Sequence, residues 1–295
     1  MLVFAIALPL ARVLIFCALA LVLPSLLTQA RATAEPIGAK ADVVRKIKLS
    51  NRQRMLSQLM AKAACIASLG VDTTTQTSEM RFAHYLFGET LLEFRTGSFI
   101  QNTLPEYDSD ILAAFDVVDV QWDQYGPAVL NKDLPGVSSL DAALLEQLDL
   151  VATLYQRKYA SAQSLDPSLA AALIVSGRQG MLTQKAAKEF CLIAARNNAD
   201  ENRERLKSTM ALLETSLQGL ALGDGSFGLQ AAPAGEIIDQ IAHAKTEWSR
   251  LCAILSRVAD GGAPSPGDMA EVSIQNLNVL QAMNLIADIY ELLRE

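Results

Sequence analysis

The chain has 295 residues, 51% of them hydrophobic and 19% charged, with a formal net charge of −7. That apolar content supports a packed core and excludes intrinsic disorder. The acidic balance, with no basic stripe, excludes the electrostatic footprint of a nucleic-acid binder. Aromatic residues are only 6%, while Ala, Leu and Gln are plentiful, which favours helices because these side chains lose little entropy there.

Residues 1–34 read as an export leader. Arg12 precedes the apolar run VLIFCALALVLP, and Ala30-Arg31-Ala32 and Ala32-Thr33-Ala34 each offer an A-x-A cleavage site. An uncleaved membrane anchor is the alternative reading. Phe16, before Cys17, is too large for the usual lipoprotein cleavage site. No later stretch reaches the ~18 apolar residues of a membrane span. The expectation is an exported, periplasmic protein.

Eight helical patterns follow, in two sets of four. The first set covers about Ala41–Leu69, Thr77–Thr96, Tyr107–Leu130 and Leu140–Ser164. The second covers about Pro167–Asn197, Asn202–Leu220, Ala234–Ala259 and Met269–Leu293. Gly97-Ser98, Pro135-Gly136, Gly219…Gly228 and Gly261-Gly262-Ala263-Pro264 break the patterns, and Asp166-Pro167 divides the sets. Alternating Val/Ile/Thr/Tyr runs with two-residue turns are missing, so strands are not expected. Helices of this length joined by short loops predict an all-α protein of two tandem antiparallel four-helix bundles. The domains expected are residues 35–165 and 166–295, after a leader at 1–34. An exchange of helices between the bundles is left open.

The two sets are an internal repeat. Residues 52–65 read RQRMLSQLMAKAAC and residues 178–191 read RQGMLTQKAAKEFC, identical at eight of fourteen positions, where chance gives about one. The same offset relates Trp122 to Trp248. Such self-similarity is the mark of duplication.

On a helical wheel with Arg52 at 0°, the positions of Met55, Gln58, Lys62 and Cys65 fall between about 220° and 300°, and Arg54 lies near 200°. Met55, Leu56 and Cys65 suit a bundle core. Gln58 and Gln184 sit beside core positions and need partners, either on a facing helix or on a ligand. Lys62 and Lys188 are expected to snorkel outward. Arg52 and Arg178 admit two readings: a guanidinium fork that matches a planar oxyanion, or a solvated or ion-paired face.

The stretch Ser50-Asn51-Arg52-Gln53-Arg54-Met55-Leu56-Ser57-Gln58 with Ala61-Lys62, and its second copy Ser176-Gly177-Arg178-Gln179-Gly180-Met181-Leu182-Thr183-Gln184 with Ala187-Lys188, resembles the PilJ-type or NarX-like N-terminal sensor domain. That family heads type IV pilus methyl-accepting chemotaxis transducers and nitrate/nitrite sensor kinases. The resemblance implies an extracytoplasmic helical bundle that senses small molecules. It also implies that the arginine before the motif methionine binds nitrate across a dimer interface. Arg54 holds that position in the first copy, and Gly180 in the second. On this basis Arg54 is expected to face the space opened by Gly180 in a pseudo-dimer, holding one anion with help from Gln58, Gln184 or Arg178. The candidate ligand residues are therefore Arg52, Arg54, Gln58, Arg178 and Gln184.

The sequence ends at Glu295 after the amphipathic run LNVLQAMNLIADIYELL, with no transmitter region. A stand-alone binding protein, or an accessory to a membrane receptor or sensor kinase, is expected. Homo-oligomerisation stays open beside the intramolecular pseudo-dimer, as does an interaction module that has lost its ligand. Catalysis is not expected. His84 and His243 have no metal-ligand spacing partner, there is no C-x-x-C or H-E-x-x-H, and the glycine-rich run Leu222–Gly228 lacks the strand and lysine of a phosphate loop. No cofactor or metal is expected. Cys65, Cys191 and Cys252 are read mainly as buried thiols, with a Cys191–Cys252 bridge as the alternative.

Overall fold

The computed structural model of the chain describes residues 37–157, 166–233 and 235–293. The expected leader at 1–34 lies outside them. No helix among the described residues is long and apolar enough to cross a membrane. Asp42–Glu295 forms one compact unit; of the preceding unit, only the helical turn Ile37–Ala41 is described.

The described residues form eight α-helices: α1 (Ile37–Ser68), α2 (Thr73–Thr96), α3 (Ser109–Leu130), α4 (Leu134–Tyr155), α5 (Pro167–Ala194), α6 (Ala199–Leu222), α7 (Glu236–Ala259) and α8 (Pro266–Leu292). The fold is an all-α helical bundle. Among the described residues the only extended pairings are two isolated bridges, Ser98–Thr103 and Asp224–Leu229.

The helices start where the local chemistry stops them from fraying. Asp108 caps α3 by accepting from the amides of Asp110 and Ile111, and Asp166 caps α5 through Ser168. Ser265 and Asp268 form a reciprocal capping box at α8. Pro135-Gly136, expected to break the chain, instead lies in the first turn of α4 behind the Asp133 cap. Proline is tolerated there because first-turn amides have no intrahelical acceptor. The same correction applies to α8, which starts at Pro266 and not at Met269.

Backbone geometry repeats with the sequence. Left-handed residues recur in equivalent pairs: Gly70 and Arg196, Asp72 and Asn198, Gly97 and Gly223, Asn102 and Gly228. The two bridges are equivalent too. So are the hydrogen bonds that the backbone amides of Glu106 and Ala232 donate to the Phe94 and Leu220 carbonyls.

The two motif helices, α1 and α5, lie side by side in register. Cys65 and Cys191, equivalent positions, form a disulfide with Cα atoms 6.2 Å apart. Four turns away, Gly177 packs on its own equivalent, Asn51: a Cβ there would come within 2.2 Å of Asn51 Nδ2. Asn51 also donates to the Leu173 carbonyl at 3.1 Å. Glycine at 177 is thus required for the close approach of the helices. The disulfide overturns both cysteine expectations: Cys65 and Cys191 are not free thiols, and Cys252 is free. Both half-cystines are fully buried, so core burial and cross-linking coexist at one site.

Candidate functional site

The motif helix α1 is buried on nearly every side because α2, α3, α4, α5 and α8 all bond to it. Gln53 donates to the Phe87 carbonyl of α2 at 2.9 Å, and Tyr125 of α3 donates to the Ser57 carbonyl at 2.9 Å. Polar side chains on such a helix must find partners inside the protein, since an unpaired buried group costs about 1–3 kcal/mol.

The five predicted ligand residues do not converge on one point. Arg54 is 3% exposed. Its Nη1 donates to Asp149 Oδ1 on α4 at 2.6 Å, and its Nη2 donates to Asn51 Oδ1. Burial lowers its pKa, with Asp149 opposing and Arg178 adding to the effect. Arg178 approaches the other oxygen of Asp149 at 3.9 Å. The two arginines from the two repeats therefore share one carboxylate. Arg54 does not fill the space beside Gly180, which corrects the expectation. A Cβ at Gly180 would meet Asn284 Oδ1 at 3.0 Å, Leu280 at 3.2 Å and Met55 at 3.7 Å.

Gln58 belongs to a second, fully buried cluster. Its Nε2 donates to Asp141 Oδ1 at 2.8 Å, and its Oε1 accepts from Lys188 Nζ at 2.8 Å. Lys188 is ion-paired with Asp141. The Tyr125 hydroxyl closes the network on Asp141 at 3.4 Å. Burial first, and Asp141 second, push that phenol well above its ordinary pKa. The facing-helix reading of Gln58 holds. Lys188 does not snorkel outward, and neither does Lys62, which is buried and pairs with Glu79 at 3.0 Å. Gln184, the repeat partner of Gln58, is fully buried, and neither of its amide atoms meets a protein partner.

Arg52 is placed differently. Its Nη2 donates to Thr90 Oγ1 at 2.9 Å, and its Nε is buried without a protein partner. It lines a cavity of about 300 Å³ between α1, α5 and α8. Val44, Ile47, Met55, Leu173 and Ala287 form apolar walls; Asn51, Asn284, Lys48 and the carboxylates Asp288 and Glu291 add polar groups. Lys48 pairs with Asp288 and Glu291, each at 2.8 Å. Burial lowers the pKa of Arg52, opposed by Glu93. Among the described residues no group of His, Cys, Asp and Glu is arranged to hold a metal ion.

Reasoning from the sequence missed Asp141 and Asp149, which decide where the motif cations go. A signal was available. Asp141 falls on the apolar stripe of Leu144, Leu145 and Leu148, and a carboxylate in a stripe needs a buried cation.

Residues 159–264 match the family described as type IV pili methyl-accepting chemotaxis transducer N-term, PilJ. The matched span contains α5, α6 and α7, so it covers the motif copy with Gly180. No curated protein matches the chain. On that match, the chain carries a PilJ-type sensor domain in residues 159–264.

Proposed function

We propose that this chain is an exported, non-catalytic sensory module that binds a small anion in the cavity between α1, α5 and α8. The observation that carries the reading is the cavity of about 300 Å³ with Arg52 on its wall. Arg52 Nε, like Arg54 Nε and Arg178 Nε, is buried without a protein partner, but of these three arginines only Arg52 lines the cavity, while Arg54 and Lys188 are ion-paired with Asp149 and Asp141. Nitrate and nitrite are the first candidates, from the family resemblance. The apolar walls also suit an anion with an organic body.

The two repeats act as tandem PilJ-type bundles, residues 35–165 and 166–295, and their paired motif helices take the place of a dimer interface. The buried disulfide supports an oxidising compartment, and with it a periplasmic location; cleavage of the leader rests on its two A-x-A sites. A membrane receptor or sensor kinase is the partner that would carry the signal onward.

The test is a thermal melt of the full chain with nitrate, nitrite, chloride and sulfate at matched ionic strength. A saturable rise in Tm with nitrate or nitrite, absent in Arg52→Gln, is expected. A shift that survives Arg52→Gln would move the site elsewhere. No selective shift with any anion would end the anion reading.

A further inference from the structure

The two repeats differ on the outward face of their second helices and in the loops that follow them. On α2, Phe82, Tyr85 and Leu92 are 63%, 60% and 57% exposed, although each is a large apolar side chain. They share the helix face opposite buried Ala83, Phe87 and Phe94. From Phe82 to Thr96 this face runs about 21 Å. At its end the α2–α3 loop exposes Phe99 and Ile100 almost completely, and Leu104 and Tyr107 beside them.

The equivalent positions of the second repeat are Ser208, Ala211, Gln218, Gly225, Ser226 and Gln230 for Phe82, Tyr85, Leu92, Phe99, Ile100 and Leu104. All six are exposed. The same scaffold in the same chain therefore carries an ordinary polar surface in one copy and an apolar one in the other. On α6 and α7 the exposed large apolar side chains are Leu222 and Ile238 alone among the described residues. Fold stability does not require the apolar residues, because the second copy builds the same helices without them.

Charge follows the same division. Residues 73–130 contain two basic side chains, Arg81 and Arg95, against nine acidic ones. The equivalent residues 199–256 contain five basic against eight acidic. Arg95 is already held by Asp116 at 2.8 Å and Asp119 at 2.7 Å. Glu89 stands within the apolar stripe, and Asp110 and Asp123 are exposed on α3. An apolar strip in an acidic field repels anionic lipid and favours a partner that supplies apolar contacts and positive charge together.

We propose that the outward face of α2, with the α2–α3 loop, is a docking surface for an amphipathic helix of another polypeptide that flanks its apolar stripe with Lys and Arg. The helix lies along Phe82, Tyr85 and Leu92, with Phe99 and Ile100 gripping one end. Glu89 and Asp123 set its charge register. This surface lies apart from the Arg52 cavity and stands independently of the anion reading.

The test measures binding of the full chain to a labelled amphipathic peptide of Leu and Lys. A Leu/Glu peptide of the same pattern serves as control. The variant Phe82→Ser/Tyr85→Ala/Leu92→Gln installs the second repeat's own residues at exposed sites, so its helicity and Tm should match the parent. Its affinity for the Leu/Lys peptide should fall at least tenfold. Glu89→Gln/Asp123→Asn should weaken binding several-fold and flatten its salt dependence. The proposal is overturned if the Leu/Lys peptide does not bind, if the triple variant binds as well as the parent, or if the Leu/Glu peptide binds equally. It is also overturned if the face drives self-association of the chain or adsorption to phosphatidylglycerol vesicles that the triple variant abolishes.

Discussion

The last helices of the two repeats, α4 and α8, bury the same face and treat charge in opposite ways. One fixed shift pairs Val137 with Val272, Leu144 with Val279, Leu145 with Leu280, Leu148 with Met283 and Tyr155 with Tyr290, and both tyrosines are buried. That shift also pairs Asp141 with Asn276 and Asp149 with Asn284. Asp149 holds Arg54, while Asn284 stands beside Gly180, where the equivalent arginine is missing. Cation and carboxylate are thus present together in one copy and absent together in the other. A buried charge without its partner costs several kcal/mol, so neither half of such a pair is changed without penalty while the other stays. The Arg-to-Gly difference in the motif is half of a matched pair of differences.

Lys62 and Lys188 make the same point in another form. Lys188 meets Asp141, whereas Lys62 meets Asn276 at 3.4 Å and takes its countercharge from Glu79 on α2. Each buried lysine keeps one carboxylate, but the helix that supplies it differs.

The largest test of this comparison is Asp141→Asn, which copies the second repeat into the first. Lys188 would be left buried without a countercharge, and about 3–5 kcal/mol of stability should be lost in urea unfolding. The reverse change, Asn276→Asp, adds a carboxylate to a lysine already paired with Glu79 and should cost much less. Equal losses from the two would break the comparison.

Removing the bond that ties the repeats together should come next. Cys65→Ser/Cys191→Ser opens a loop with a sequence separation of 126. Chain-entropy arguments give so long a loop about 5 kcal/mol, and disulfides typically contribute about 2–4 kcal/mol, which is the loss expected here. Because both half-cystines are buried, reductant should leave the bond intact in the folded chain and cleave it once the chain is unfolded in urea, as thiol labelling would show.

The smallest effect sharpens the arginine comparison. Asp149→Asn should cost roughly 1–3 kcal/mol, less than Asp141→Asn because Asp149 is partly open to solvent. Combining it with Arg54→Met should recover part of that loss, since the buried charge is then removed with its partner. A double variant whose loss is the full sum of the two single losses would show that the pair is not coupled.

Much of the fold was legible in the chain itself. The helical composition, the repeated RQxML(S/T)Q motif and the glycine and proline breaks define eight helices, because helix formation is a local matter of propensity, capping and turn geometry. The ends that went wrong, at Pro135 and Pro266, did so because proline stops a helix in its interior yet starts one at its first turn. The candidate site was less legible. Arg52, Arg54, Gln58, Arg178 and Gln184 share a motif and a pair of helices, but their roles are set by what faces them: Thr90 and a cavity for Arg52, Asp149 for Arg54, Lys188 and Asp141 for Gln58. Those partners come from elements 38 to 130 residues distant in the chain, which no local pattern specifies.

The sequence by itself determined that this protein is a duplicated helical chain with a cationic motif in each copy. Periodicity, caps and self-similarity are properties of neighbouring residues and need no packing to be read. Only the tertiary structure decided that Cys65 bonds Cys191, that Arg54 and Lys188 are neutralised from α4, and that Arg52 is left on a cavity wall. Burial turns each polar side chain into a group that must find a partner across the bundle, and that choice depends on helix register in three dimensions.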